Sequence, residues 1–239
     1  MTNSVTLIPV DSAKRRRQFV DLPFRLYAGD PMFVPPLKRD EHRRFDRRHN
    51  PFLEHADMTC WLALDGERIV GRIAAIDDRL HNDVHRESTM WFGFFEATDA
   101  AVAQQLLMAV ERHARARDRS HVRGPVNPSM HEAAGLLVDG FDDPPCILMP
   151  YNPRYYAPFI ENAGYGKVKD LFSWQLDLTA PLPPRVERIA ARVRERFDIT
   201  LPRFDLMAQL ERAPQGLKMK DLSRRMMVTG GNVTGITDQ

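Results

Sequence analysis

The chain has 239 residues, 43% of them hydrophobic, with Lys+Arg 34 against Asp+Glu 32 and a formal charge of +2. That is long enough for one large domain with a sizeable core, and so balanced a charge offers no electrostatic argument for nucleic acid as a partner. The opening residues lack an apolar stretch followed by a cleavage site and no run of 18 apolar residues occurs, so no membrane span is expected and the cytoplasm is the simplest location.

Val5 to Val10 reads as a strand, and Asp11-Ser12 supplies an N-cap for a helix over 13–27 with Phe19, Leu22 and Leu26 on one face. Gly29-Asp30-Pro31 breaks the chain before Lys38 to His49, a tract dense in both charge signs that reads as a short helix and a solvated face. Strands are expected over 60–64 and 69–76, joined by the turn Asp65-Gly66-Glu67-Arg68, and a third over 89–96. Of its aromatics, Trp91, Phe92, Phe94 and Phe95, some must enter the core and others the opposite sheet face. Asp99 caps a helix over 100–117.

His121 to Val126 begins another strand, Asn127-Pro128-Ser129 breaks it, and Glu132 to Val138 fits a short helix. Cys146 to Met149 is strand-like, Asn152-Pro153 opens a helix through Asn162 ended by Gly164, and Lys167 to Leu178 is a long alternating strand. Thr179 to Pro184 is a linker, followed by a basic amphipathic helix over 185–197, packed or facing a partner, and a strand over 199–204. The stretch from Arg224 onward has no usable period, and disorder is expected there. Cys60 and Cys146 sit in apolar surroundings without metal-ligand spacing, so both are expected as buried free thiols and no metal site is expected.

The segments FVPPLKRDEHRRFDRRHNPFLEHA, IVGRIAAIDDRLHN, GFFE, RGPVNPS, GLLVDGFDDPP and MPYNPRYY, with the late helix ending Asn162-Ala163-Gly164-Tyr165, resemble a bacterial YghO-type family of the GNAT (acyl-CoA N-acyltransferase) superfamily. The resemblance implies an α/β fold with a GNAT-like mixed central sheet flanked by helices over 1–178, a linker over 179–184, and over 185–239 the start of a second GNAT-like half, truncated or divergent. It implies transfer of an acyl group from acetyl-CoA or another acyl-CoA to an amine on a small molecule or peptide. The alternative is a non-catalytic GNAT-like binding module for a metabolite or protein partner, and a homodimer is left open. Splayed strands would supply backbone contacts to the cosubstrate at Phe94 and Phe95. The superfamily's glycine-rich pyrophosphate loop is absent, since EATDAAVAQ stands in its place and Asp99 would repel an anion. Ile160 occupies the position of the superfamily's frequent acid tyrosine, leaving Tyr155 or Tyr156 as the general acid.

Glu96, at the end of an apolar strand, is read either as a general base for the amine or as a solvent-facing strand-end carboxylate. Arg123, Asn127 and Ser129 surround a constrained turn suited to fixing a carboxylate or amide substrate, although the same residues also make turns for their own sake. His131-Glu132 is a weaker acid–base pair, because neighbouring helical positions diverge.

Overall fold

The computed structural model describes residues 5–174, 177, 181, 183–197, 201–211, 213 and 215–226. They belong to two units, Met1–Leu171 and Phe172–Gln239. In the first, a five-stranded sheet runs in the order β1 (Thr6–Pro9), β2 (Ala56–Asp65), β3 (Arg68–Asp78), β4 (Thr89–Ala97), β5 (His121–Arg123). The first four strands pair antiparallel and β5 pairs parallel to β4, over Thr89–Trp91 and His121–Arg123 only.

Helix α1 (Ala13–Leu26) starts where the Ser12 side chain accepts the Arg15 N–H at 3.3 Å, and buries Phe19 and Leu22 against one sheet face. The short α2 (Lys38–Arg43) follows. A helical stretch that sequence periodicity does not announce, α3 (Arg79–His85), joins β3 to β4 and is capped by Asp78. On the opposite face α4 (Ala100–Arg115) buries Val102, Leu106 and Val110, and α5 (Tyr156–Asn162) buries Tyr156 and Ile160. Apolar side chains thus fill both sides of the sheet, so its central strands are apolar almost throughout, as two-sided burial demands.

The register slips between Arg72 and Ala74, so that Phe94 and Phe95 of β4 stand against the single β3 residue Ile73. Phe94 has φ +51, a left-handed conformation uncommon for an aromatic residue. This bulge resets the alternation: Trp91 and Phe94 enter the α1-side core, whereas Phe92 and Phe95 enter the α4-side core. Past Trp91 the chain of β5 turns away, and a two-residue ladder of β6 (Val126–Asn127) with β7 (Ala133–Ala134) takes up space beside the bulge. A Cβ on Gly93 would stand 1.6 Å from the Val126 carbonyl oxygen, so two backbones meet there with no side chain between them.

Several expected elements change. The helix anticipated over 132–138 is instead β7 and a turn, because Gly135 adopts φ +84 and gives its N–H to the Pro125 carbonyl at 2.9 Å. Cys146–Met149 forms a turn rather than a strand, with Leu148 at φ +64 and prolines on both flanks that lack an N–H to donate. Cys146 is exposed and not a buried thiol, whereas burial pushes the Cys60 thiol up to about 12. The helix anticipated from Asn152 begins at Tyr156, since the Asn152 amide is occupied in tying Leu137 to the loop through its N–H and its carbonyl, at 2.8 and 3.2 Å. Residues 167–174 pair with no strand among the described residues.

The second unit contributes α6 (Pro184–Phe197), α7 (Leu201–Glu211) and α8 (Met219–Met226), with Leu206 and Leu222 buried. The strand expected over 199–204 is therefore helical from Leu201, and 199–200 lie outside the described residues. So do 227–239, which carry the expectation of disorder, while residues 224–226 belong to α8. No helix among the described residues is long and apolar enough to cross a membrane.

Candidate functional site

Glu96 lies on β4 beyond Trp91, the last residue that pairs with β5, and it is 6% exposed, not solvent-facing. Its carboxylate accepts hydrogen bonds from the Tyr27 hydroxyl, from the Tyr156 hydroxyl at 2.7 Å and from Arg72 Nη2 at 3.3 Å. The two phenolic oxygens are 3.3 Å apart. Tyr27 comes from the residue that closes α1 on one face of the sheet, while Tyr156 comes from α5 on the other and reaches Glu96 through the gap that β5 vacates. Burial raises the Glu96 carboxyl above its ordinary value, opposed chiefly by the Arg72 charge. Burial and the neighbouring Glu96 raise both tyrosines.

Arg72 completes the cluster by donating from Nη1 to the Phe19 carbonyl at 2.8 Å, with its guanidinium 5.0 Å from the Phe19 ring centroid and 5.9 Å from that of Phe94. These ring faces help hold a charge taken from water. Arg72 Nε is buried without a hydrogen-bond partner among the described residues.

The β4 edge that β5 abandons is covered by side chains. Asn127 Oδ1 accepts the Phe94 N–H at 2.5 Å and the Tyr156 hydroxyl accepts the Ala97 N–H at 3.1 Å. Buried backbone donors need such partners, so Asn127 and Tyr156 stand in for the missing strand. From outside, Phe45 lies 5.1 Å from the Phe94 ring, and Arg44 donates to the Asn127 carbonyl at 3.3 Å while pairing with Glu132 at 2.9 Å. The charged tract therefore also contributes part of the site's cover.

The residues singled out in the sequence are dispersed. Glu96 and Tyr156 meet, and Tyr155, 46% exposed, meets the Tyr156 ring edge-on with ring centroids 5.4 Å apart. Burial, then Glu96, raises the Tyr155 phenol. Asn127 meets the backbone of Phe94, but the Phe94 and Phe95 rings are packed in opposite cores. Arg123 pairs with Glu87 at 3.1 Å and covers the Trp91 ring at 5.5 Å, and Ser129 lines a cavity of about 330 Å³ beside α3. A second cavity, about 350 Å³, lies between the end of α4, β5 and Gly164–Gly166. Glu96 lines neither. Tyr27 and Arg72 escape sequence reasoning, since nothing local marks a helix-end tyrosine or a strand arginine as partners of Glu96.

The N-terminus of α4 does not fit a pyrophosphate. The Asp99 carboxylate already accepts the Val102 N–H at 2.9 Å, placing a negative charge where the phosphates of an acyl-CoA would need free N–H groups. No group of three or more His, Cys, Asp or Glu among the described residues is placed to hold a metal ion.

The chain has an α/β fold, a mixed five-stranded sheet flanked by helices. In sequence it is similar to YghO-type proteins of bacteria. It is 39% identical over 190 residues to the bacterial ceramide synthase of Caulobacter vibrioides, covering 79% of this chain and 50% of that protein. It is 34% identical over 187 residues to protein YghO of Escherichia coli, covering 77% of this chain and 47% of that protein. The chain thus spans about half the length of the curated relatives it matches. No protein-family model matches it. Similar solved structures include a tandem GNAT protein from the clavulanic acid biosynthesis pathway, with TM-score 0.46, 17% identity and coverage of 67% of this chain and 43% of that one. Another is an aminoglycoside acetyltransferase from an uncultured soil metagenomic sample in complex with sisomicin, with TM-score 0.44, 11% identity and coverage of 73% and 96%.

Proposed function

We propose that the chain serves acyl transfer from a thioester to an amine, giving an amide. The observation that carries this reading is the buried carboxylate of Glu96, held between two phenols and a guanidinium where β4 and β5 part. In the reaction the amine nitrogen bonds to the acyl carbon, the carbon–sulfur bond breaks, the nitrogen gives up a proton and the thiolate gains one. The chain's part is to handle those protons: Tyr27 or Tyr156 passes its hydroxyl proton to Glu96, whose affinity for a proton is raised, as it accepts the amine's, and later gives a proton to the thiolate and recovers one from the carboxyl. Tyr155, exposed beside them, is the alternative donor to the thiolate.

The name of the Caulobacter relative supports a long-chain amine as acceptor, since a ceramide is an N-acylated long-chain amino alcohol. The donor is an acyl thioester. Acetyl-CoA or a longer acyl-CoA belongs to that class, but its pyrophosphate finds no cradle at α4, and no step depends on it.

A specific observation favours a second reading, a binding module without chemistry: the Glu96 carboxylate already accepts three hydrogen bonds, and Asn127 and Tyr156 cover the β4 edge. To separate the two, the purified chain is incubated with long-chain acyl-CoA and a long-chain amino alcohol and the amide is followed by mass spectrometry. Product formation that falls at least about a hundredfold in Glu96→Gln and in Tyr27→Phe, both still melting cooperatively, is the expected result, within the range typical of general acid–base groups. Undiminished rates in both variants refute the assigned role, and no product from the wild-type chain favours the binding module.

A further inference from the structure

We propose that Asp30 and Tyr151 form a latch that holds a strap, residues 28–36, over Tyr27, and that Glu96 is reached from the α1 side when the latch opens. The inference rests on the reading above for the chemistry of Glu96 and adds how a substrate gains access to it. Glu96 is 6% exposed and lines neither cavity, so some cover must move before any ligand meets its phenols.

The two phenols are covered differently. Tyr156, 1% exposed, is buried by regular elements: its ring packs on Phe95 of β4 at 5.2 Å and on Phe159 of its own helix at 6.4 Å, and its hydroxyl holds the Ala97 N–H. Exposing it means undocking α5 from the core. Tyr27 is covered by rings from loops. Phe33, in the connection between α1 and α2, lies 4.9 Å from its ring, and Tyr151, ahead of α5, meets it edge-on at 5.3 Å. The Phe33 and Tyr151 rings are themselves 5.6 Å apart. Loops open at lower free energy than packed helices and strands, so the Tyr27 side is the one that yields.

The strap is fastened sparsely. Within it, Asp30 Oδ1 accepts the Met32 N–H at 3.0 Å and the Asp30 carbonyl accepts the Phe33 N–H at 3.3 Å. Among the described residues, the one hydrogen bond that ties residues 28–36 to a distant part of the chain is donated by the Tyr151 hydroxyl to Asp30 Oδ2. It lies at the surface, where water competes for both partners. Pro31, Pro35 and Pro36 fix φ along the strap, and Gly29, at φ +90 with open space around it, stands at its α1 end. A stiff segment with a glycine at its root and a single outer tie swings as a unit, carrying Phe33 off Tyr27.

The test reads access to Tyr27 with no acyl donor or acceptor present. The full chain and Tyr151→Phe, which keeps the ring and removes the hydroxyl, are given a short pulse of hydroxyl radicals, and oxidation of each tyrosine is followed by mass spectrometry. In Tyr151→Phe the rate at Tyr27 is expected to rise at least about threefold, with Tyr156 and Tyr165 unchanged. No rise at Tyr27, or an equal rise at Tyr156 and Tyr165 that marks general loosening, overturns the proposal. Should Tyr151→Phe melt early, Asp30→Asn, at an exposed position whose side-chain oxygen still accepts the Met32 N–H, is judged by the same outcomes. A latch that passes this test in a chain that forms no amide would count against the function proposed above and leave the strap assigned. Amide formation with no rise at Tyr27 would do the reverse.

Discussion

Replacing Gly93 with alanine probes the contact on which the β4–β5 divergence rests. The added Cβ would lie 1.6 Å from the Val126 carbonyl oxygen, 2.7 Å from its carbonyl carbon and 3.1 Å from Asn127 Oδ1. Backbone atoms cannot rotate away as a side-chain tip can, so β6 must shift by more than an ångström. Overpacking of this kind costs about 1–3 kcal/mol. The same shift pulls Asn127 Oδ1 from the Phe94 N–H, a part-buried hydrogen bond whose loss adds about 1–3 kcal/mol. The sum, about 2–6 kcal/mol, is a large share of a typical domain's stability of about 5–15 kcal/mol. Urea unfolding followed by far-UV circular dichroism measures it, with Gly166→Ala as control, because nothing lies within 4 Å of that position and its φ needs no glycine. Equal midpoints for the two variants would refute the argument that β6 is wedged directly on the β4 backbone.

Tyr156→Phe removes the hydroxyl that donates to Glu96 and accepts from Ala97, leaving a buried N–H without its partner; a loss of about 2–4 kcal/mol is expected in the same unfolding assay. A loss below about half a kcal/mol would show that the hydroxyl is dispensable to the sheet edge. For Glu96, burial raises the folded-state value above the unfolded one, so its contribution is fully present below the ordinary carboxyl value and is lost as pH rises through the raised one. Wild type minus Glu96→Gln stability should therefore decrease with rising pH above about 4.5. A difference that grows with pH contradicts the sign.

Where local chemistry decides, the sequence is readable. The β2–β3 hairpin follows from Asp65-Gly66, with Gly66 at φ +59, and α4 begins at Asp99 because that side chain accepts the Val102 N–H. The aromatic run of β4 does not betray its bulge, since Trp-Phe-Gly-Phe-Phe alternates acceptably as a regular strand and only packing against β6 and Asn127 settles which ring turns to which face. Cys146–Met149 misleads for the opposite reason: an apolar run has strand composition, yet the prolines around it offer no ladder donors. Glu96 is legible as an acidic residue in an apolar strand. Tyr156, 60 residues away, is reached through the resemblance of the late helix, whereas Tyr27, 69 residues away at a helix end, and Arg72, inside a strand, carry no local signal.

The carboxylate of Glu96 gathers one phenol from the α1 side of the sheet and one from the α5 side, past the point where β5 has parted from β4. A single proton at that point is common property of both helical layers. Substituting that one carboxylate would therefore loosen the tie to both layers at once.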